Sequence, residues 1–169
     1  MRHLQERRAV VAPIAARPRR LLIPAAAVVV VALDQLSKTW ALDHLQPYQA
    51  RPVVGPVHWY LTFNTGAAFS VGTGVTPILE AVVVVLIVGL VVFSRRASRS
   101  ATVPVCLALG LILGGALSNL GDRLFRHVAV HGGVVDFIRA VTWWPVFNVA
   151  DASIVVGVIL LLLTWRSRA

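Results

Sequence analysis

Apolar residues in this chain come in long runs with few interruptions rather than in the short periodic stripes of a soluble helix. Four stretches stand out, at residues 21–42, 75–93, 101–120 and 147–165. Each is long enough to cross a hydrocarbon core of about 30 Å as a helix, at roughly 20 residues per crossing. A helix is also the form in which such a segment satisfies its own backbone hydrogen bonds. The first stretch opens with an uncharged run, 21–33, short enough for the core of a cleaved signal peptide. Asp34, Lys38 and Trp40 then interrupt a pattern that continues to Leu42, and an uncleaved first span accounts for all four stretches together. The pattern predicts an all-α integral membrane protein of four transmembrane helices, with residues 1–20 as a basic tail, 21–165 as a single membrane domain and 166–169 as a second tail.

The connections differ from one another. Residues 94–100 form a short polar loop holding Arg95, Arg96 and Arg99, whereas 43–74 and 121–146 are longer and far from linker-like. The first of these contains Val57, His58, Trp59, Tyr60, Leu61, Thr62 and Phe63 after a Gly55-Pro56 break. Such β-branched and aromatic enrichment beside a turn signal predicts a small strand or hairpin. In the second, Trp143-Trp144-Pro145 suits the depth of the lipid headgroups.

Composition supports the membrane assignment, with 57% apolar residues and 14% charged, against about 25% charged in ordinary soluble domains. The formal charge of +9 would point a soluble chain toward nucleic acid, but its distribution points elsewhere. The basic tail, the 94–100 loop and the C-terminal tail hold 11 Lys and Arg residues, and the rest of the chain holds five. The bias of basic residues toward the inner face therefore predicts cytoplasmic termini and outward-facing long connections, with no nucleic-acid role. Cys106 is the only cysteine, so no internal disulfide or multi-cysteine metal site exists.

Ionisable residues near a bilayer are costly, by about 2.5–3.5 kcal/mol at the centre of a span even on mild scales, and each calls for a reason. Asp34 and Lys38 are four apart on one helical face and can pair. Glu80 reads as interfacial and Asp43 as solvated surface. Gly114 and Gly115 allow close helix approach. Asn119 and Arg123, again four apart, point toward a polar cleft at the outer end of the bundle. Asp136 is flanked by apolar residues, and Asp151 falls on the first turns of the last helix. Two carboxylates brought together in a poorly hydrated site hold one shared proton near neutral pH. Such a pair can activate water while protonating a carbonyl oxygen, as aspartic peptide hydrolysis requires. Ion pairing of Asp136 with Arg123 or Arg139, and a dipole interaction for Asp151, are the structural alternatives. The histidines form no HExxH, and no GxSxG occurs, which argues against zinc and serine peptidases. A small membrane channel or proton-coupled transporter using Asp136 and Asp151 is the rival class.

Five blocks in order carry a resemblance: Asp34-Gln35-Leu36-Ser37-Lys38, Asn64-Thr65-Gly66-Ala67-Ala68-Phe69-Ser70, residues 114–123 from Gly114 to Arg123, Val134-Val135-Asp136-Phe137, and Phe147-Asn148-Val149-Ala150-Asp151. Together they resemble bacterial lipoprotein signal peptidase, signal peptidase II. Ser118 departs from the glycine usual in that family. The resemblance implies an aspartic endopeptidase of the bacterial inner membrane, with its active site on the extracytoplasmic side, cutting diacylglyceryl-modified prolipoproteins just before the lipidated cysteine. It implies Asp136 and Asp151 as the catalytic pair, and Asn64, Gly66, Asn119, Arg123 and Asn148 as substrate-binding or cleft-supporting residues. Asp34 and Lys38 are implied as structural. No metal or organic cofactor is implied, and the expected partners are the prolipoprotein substrate, membrane lipid and family-type cyclic peptide inhibitors.

Overall fold

The computed structural model describes residues 21–65, 76–97, 101–126 and 133–166. In chain order these form α1 (Leu22–His44), β1 (Ala50–Val54), β2 (Val57–Asn64), α2 (Thr76–Ala97), α3 (Val103–Phe125), β3 (Val134–Arg139) and α4 (Val149–Arg166). Among the described residues, α1 and α3 are each long and apolar enough to cross a membrane, and Val149–Thr164 is a shorter apolar helix. Large apolar side chains are exposed along the outer faces of the helices, among them Val28, Leu33, Val85, Val88, Ile159 and Leu162. A water-soluble chain rarely exposes so continuous an apolar surface; a bilayer solvates it.

α3 is the central helix. On one side Gly110 and Gly114 lie against α1, and on the other Gly115 lies against α4. A Cβ on Gly114 would meet the carbonyl oxygen of Ala27 at 2.7 Å, and one on Gly115 that of Ala150 at 2.5 Å. The small-residue run thus brings three backbones together, as the packing reading of the glycines expects. Ile23, Ala27, Ile87, Cys106, Leu109 and Leu113 fill the space between α1, α2 and α3.

The expected β segment is a three-stranded antiparallel sheet in the order β1-β2-β3. Gly55, at φ 53°, makes the β1–β2 turn, a conformation glycine adopts without a Cβ penalty. The hairpin matches the prediction, but β3 is an addition to it. Residues 134–139 pair with β2 in a register that sets Thr62 opposite Asp136 and Asn64 opposite Val134. A strand buried on both faces reads as a continuous apolar run without alternation, so in sequence Asp136 read only as a carboxylate flanked by apolar residues in a long connection. Val135 and Phe137 pack with Leu61, Leu45 and Ala41, seating the sheet on the last turns of α1. The third helix also runs beyond the predicted end at 120, to Phe125. Asp122 and Arg123 are therefore helical residues rather than the start of a loop.

Candidate active site

Two connections bring Asp136 and Asp151 together across fifteen residues of sequence. The Phe147 N–H donates to the Ile138 carbonyl at 3.0 Å, and its own carbonyl accepts from Ile138 N–H at 2.9 Å. That bridge ties the start of α4 to β3. Asn148 then caps α4: its Oδ1 accepts the Asp151 N–H at 2.9 Å, while Asp151 Oδ2 accepts the Asn148 N–H at 3.2 Å. This reciprocal arrangement is a capping box, with asparagine and aspartate in the two capping roles, and it satisfies helix-end donors that have no partner within the helix.

Asn148 does more than cap. It is fully buried, and its Nδ2 donates to Asp136 Oδ1 at 2.6 Å. One side chain therefore touches both carboxylate residues. Asn119 on α3 completes the bracket, donating from Nδ2 to Asp151 Oδ1 at 2.8 Å and accepting from Lys38 Nζ on Oδ1 at 2.9 Å. Asn64, on the strand paired with β3, also donates to Asp136. Asp136 is only 2% exposed, while Asp151 and Asn119 are half-buried and Asn64 is exposed. The site is dry at one carboxylate and open at the other.

Burial pushes the Asp136 carboxyl up from 3.8 to about 7, and the nearby charge of Asp151 pushes in the same direction. Donation from Asn64 and Asn148 and the positive charge of Lys38 oppose the rise without cancelling it. A carboxyl pushed up toward neutrality beside a second carboxylate can keep a proton where an isolated aspartate would have lost it. The alternative of an ion pair with Arg139 is not realised. Its guanidinium lies 3.4 Å from the ring centroid of Tyr60, a cation–π contact.

Asp34 and Lys38 pair at 2.6 Å, as their spacing predicts, but they do so wholly buried and with a third charge. Lys38 Nζ also contacts Asp122 Oδ2 at 2.8 Å. Asp122 in turn accepts from Gln35 Nε2 at 2.9 Å and pairs with Arg126 at 3.2 Å, and Ser118 donates to Asp34 at 2.8 Å. Gln35, Ser118, Asp122 and Arg126 were not singled out as site residues from sequence. Their signal was available: Ser118, Asp122 and Arg126 are spaced by four and share a face of α3, but that face is visible only when the helix is run on to residue 125. Arg123 is partly buried, with Nη1 lacking a hydrogen-bond partner. Gly66 lies outside the described residues, as does the side chain of Glu80.

An apolar-faced helical assembly, carrying a small sheet that brings Asp136 near Asp151, has the character of a membrane protein with a buried polar site. The family model described as signal peptidase (SPase) II matches residues 26–166, and the chain belongs to that family. Lipoprotein signal peptidases among its relatives include one from Mycobacterium leprae, 46% identical over 147 residues, covering 85% of this chain and 71% of the relative. Another, from Rhodococcus jostii, is 48% identical over 146 residues, again covering 85% and 71%. Among solved structures, a bacterial membrane enzyme determined by the in meso method at 1.9 Å is similar with a TM-score of 0.71 and 26% identity, covering 84% of this chain and 90% of that one.

Proposed function

We propose that this protein removes signal peptides from diacylglyceryl-modified prolipoproteins by an aspartic mechanism, with Asp136 and Asp151 as the catalytic pair. The observation that carries the reading is the bracket of Asn148 and Asn119 around the two carboxylates. It links the two residues in a site that is buried at Asp136 and half-buried at Asp151. In the mechanism, one carboxylate is ionised and takes a proton from a water held between the pair. The other, protonated, hydrogen-bonds the scissile carbonyl, and collapse of the tetrahedral intermediate returns a proton to the leaving amine. The proton belongs to the pair, so base and acid are roles of the dyad rather than fixed labels. Asn64 and Arg123 line the cleft on the substrate side. β1 and β2 form a ledge at the membrane surface against which the substrate backbone lies, its acyl chains remaining in lipid.

The same reading sets four spans in the bacterial cytoplasmic membrane, with both termini inside and the dyad at the extracytoplasmic end. A conduction path would need polar positions through the whole bundle, whereas the charged network runs from the middle of α1 toward its C-terminal end and over the last turns of α3. The deciding experiment is cleavage of a diacylglyceryl-modified precursor by purified protein in metal chelator. Asp136→Asn and Asp151→Asn each abolish turnover while the protein stays folded, because an amide keeps the shape but cannot shuttle the proton. Near-normal cleavage by either variant would remove that residue from the mechanism.

A further inference from the structure

The buried polar cluster beside the dyad makes contacts that helix packing alone does not require. Each of its two carboxylates holds the backbone N–H that immediately precedes a dyad residue. Asp34 Oδ1 accepts from the Ala150 N–H at 2.8 Å, one residue before Asp151. Asp122 Oδ2 accepts from the Val135 N–H at 3.2 Å, one residue before Asp136. Lys38 Nζ lies between them, at 2.6 Å from Asp34 and 2.8 Å from Asp122. Its third contact is Asn119 Oδ1, at 2.9 Å. An ammonium has three donors and no acceptor capacity, so all three are used, and the Asn119 amide has one orientation open to it. With Oδ1 facing Lys38, Nδ2 faces Asp151. The reverse orientation would set a carbonyl oxygen against a carboxylate.

We propose that Lys38 and Asp122 are positioning residues that set the separation and hydrogen bonding of the Asp136–Asp151 pair. The inference rests on reading that pair as catalytic. Neither residue touches the reacting atoms. Asp122 acts through the Val135 amide on β3, Asp34 through the Ala150 amide on α4, and Lys38 joins the two clamps and orients Asn119. Gln35 and Arg126 complete the shell around Asp122 Oδ1, and the two carboxylates are balanced by two cations. Lys38, Asp34 and Asp122 are all fully buried, so the clamp works without competing water. The ammonium also lowers the proton affinity of Asp136 from a distance, so its removal moves titration of the site as well as its geometry.

The test compares purified Lys38→Met, Asp122→Asn and Arg126→Gln with wild type, using a diacylglyceryl-modified precursor peptide, with kcat, KM and the pH profile normalised to folded protein. Misplacing a reacting group by about 1 Å costs on the order of 100-fold. Lys38→Met and Asp122→Asn should therefore lose about that factor in kcat, with KM little changed. The alkaline limb should move upward in Lys38→Met, and Lys38→Arg should restore that limb. A purely structural role would instead lower the folded fraction and leave the kcat and pH profile of folded protein intact. That result in either buried variant overturns the inference. If neither folds, Arg126→Gln, at the partly exposed edge of the cluster, decides: a kcat lowered several-fold supports the clamp, and wild-type kcat with an unmoved profile overturns it. Inactive Asp136→Asn beside fully active Asp122→Asn refutes only the positioning role, whereas active Asp136→Asn refutes the dyad beneath it.

Discussion

Replacing Asp136 with asparagine should change stability in a pH-dependent way, to the variant's growing advantage over wild type as pH rises. Asp136 is buried, and its carboxyl titrates at about 7 rather than 3.8. Between those values the folded chain holds a proton that the unfolded chain has released, so wild-type stability falls as pH rises, down to a floor above pH 7. At about 1.4 kcal/mol per pH unit, the full penalty is about 4 kcal/mol above neutrality and less than half of that at about pH 5. Asparagine carries no such penalty. Its Oδ1 can still accept from Asn148, but an amide offers one acceptor oxygen where the carboxylate offered two, and a donor left without its acceptor takes back about 1–3 kcal/mol. The mismatch does not depend on pH. The advantage of Asp136→Asn over wild type should therefore grow by about 3 kcal/mol between about pH 5 and about pH 8.5, whatever its offset. For a chain of this size that is a relative gain in Tm of roughly 6–12 °C. Thermal unfolding of both proteins in detergent, followed by tryptophan fluorescence across that range, measures it. A Tm difference that stays constant with pH would refute both the perturbed titration of Asp136 and the reasoning that ties it to burial.

Turnover should fall as pH rises through about 7, where the pair loses its shared proton, because no acid then remains for the scissile carbonyl; a rate still rising well into the alkaline range would contradict this. Gly115→Ala, whose Cβ would meet Ala150 O at 2.5 Å, should destabilise the protein by about 1–3 kcal/mol and lower kcat by displacing the start of α4. Gly121→Ala has nothing within 4 Å and should stabilise by about 0.5–1 kcal/mol, so denaturation of the two variants side by side separates packing from propensity. Asn148→Ala should cost about 1–2 kcal/mol for the lost cap and reduce turnover far more than that loss explains, read as kcat on folded protein. In Cys106→Ala carrying Ser98→Cys, an impermeant thiol reagent should fail to label intact cells; labelling would invert the proposed topology.

Features that depend on local composition were legible along the chain before any fold was known. Long apolar runs can satisfy their backbones only as helices in lipid, and β-branched and aromatic residues after Gly55-Pro56 pair as a hairpin, so both were readable without coordinates. The i, i+4 spacing of Asp34 and Lys38 showed that they could pair, and two carboxylates in apolar surroundings marked the candidate chemistry. Tertiary structure decided the rest, because distance between segments is not a local property. Asp136 and Asp151 meet through the Phe147–Ile138 bridge and through Asn148, whose capping and carboxylate-binding roles depend on where β3 lies. β3 itself has no alternating pattern, since both its faces are buried. The Asp34–Lys38 pair became part of a four-charge cluster only when α3, carried past residue 120, placed Asp122 and Arg126 beside them. Close approach at Gly114 and Gly115 makes that geometry possible: without side chains there, α1, α3 and α4 come near enough for one ammonium to reach two helices and, through Asp122, a strand.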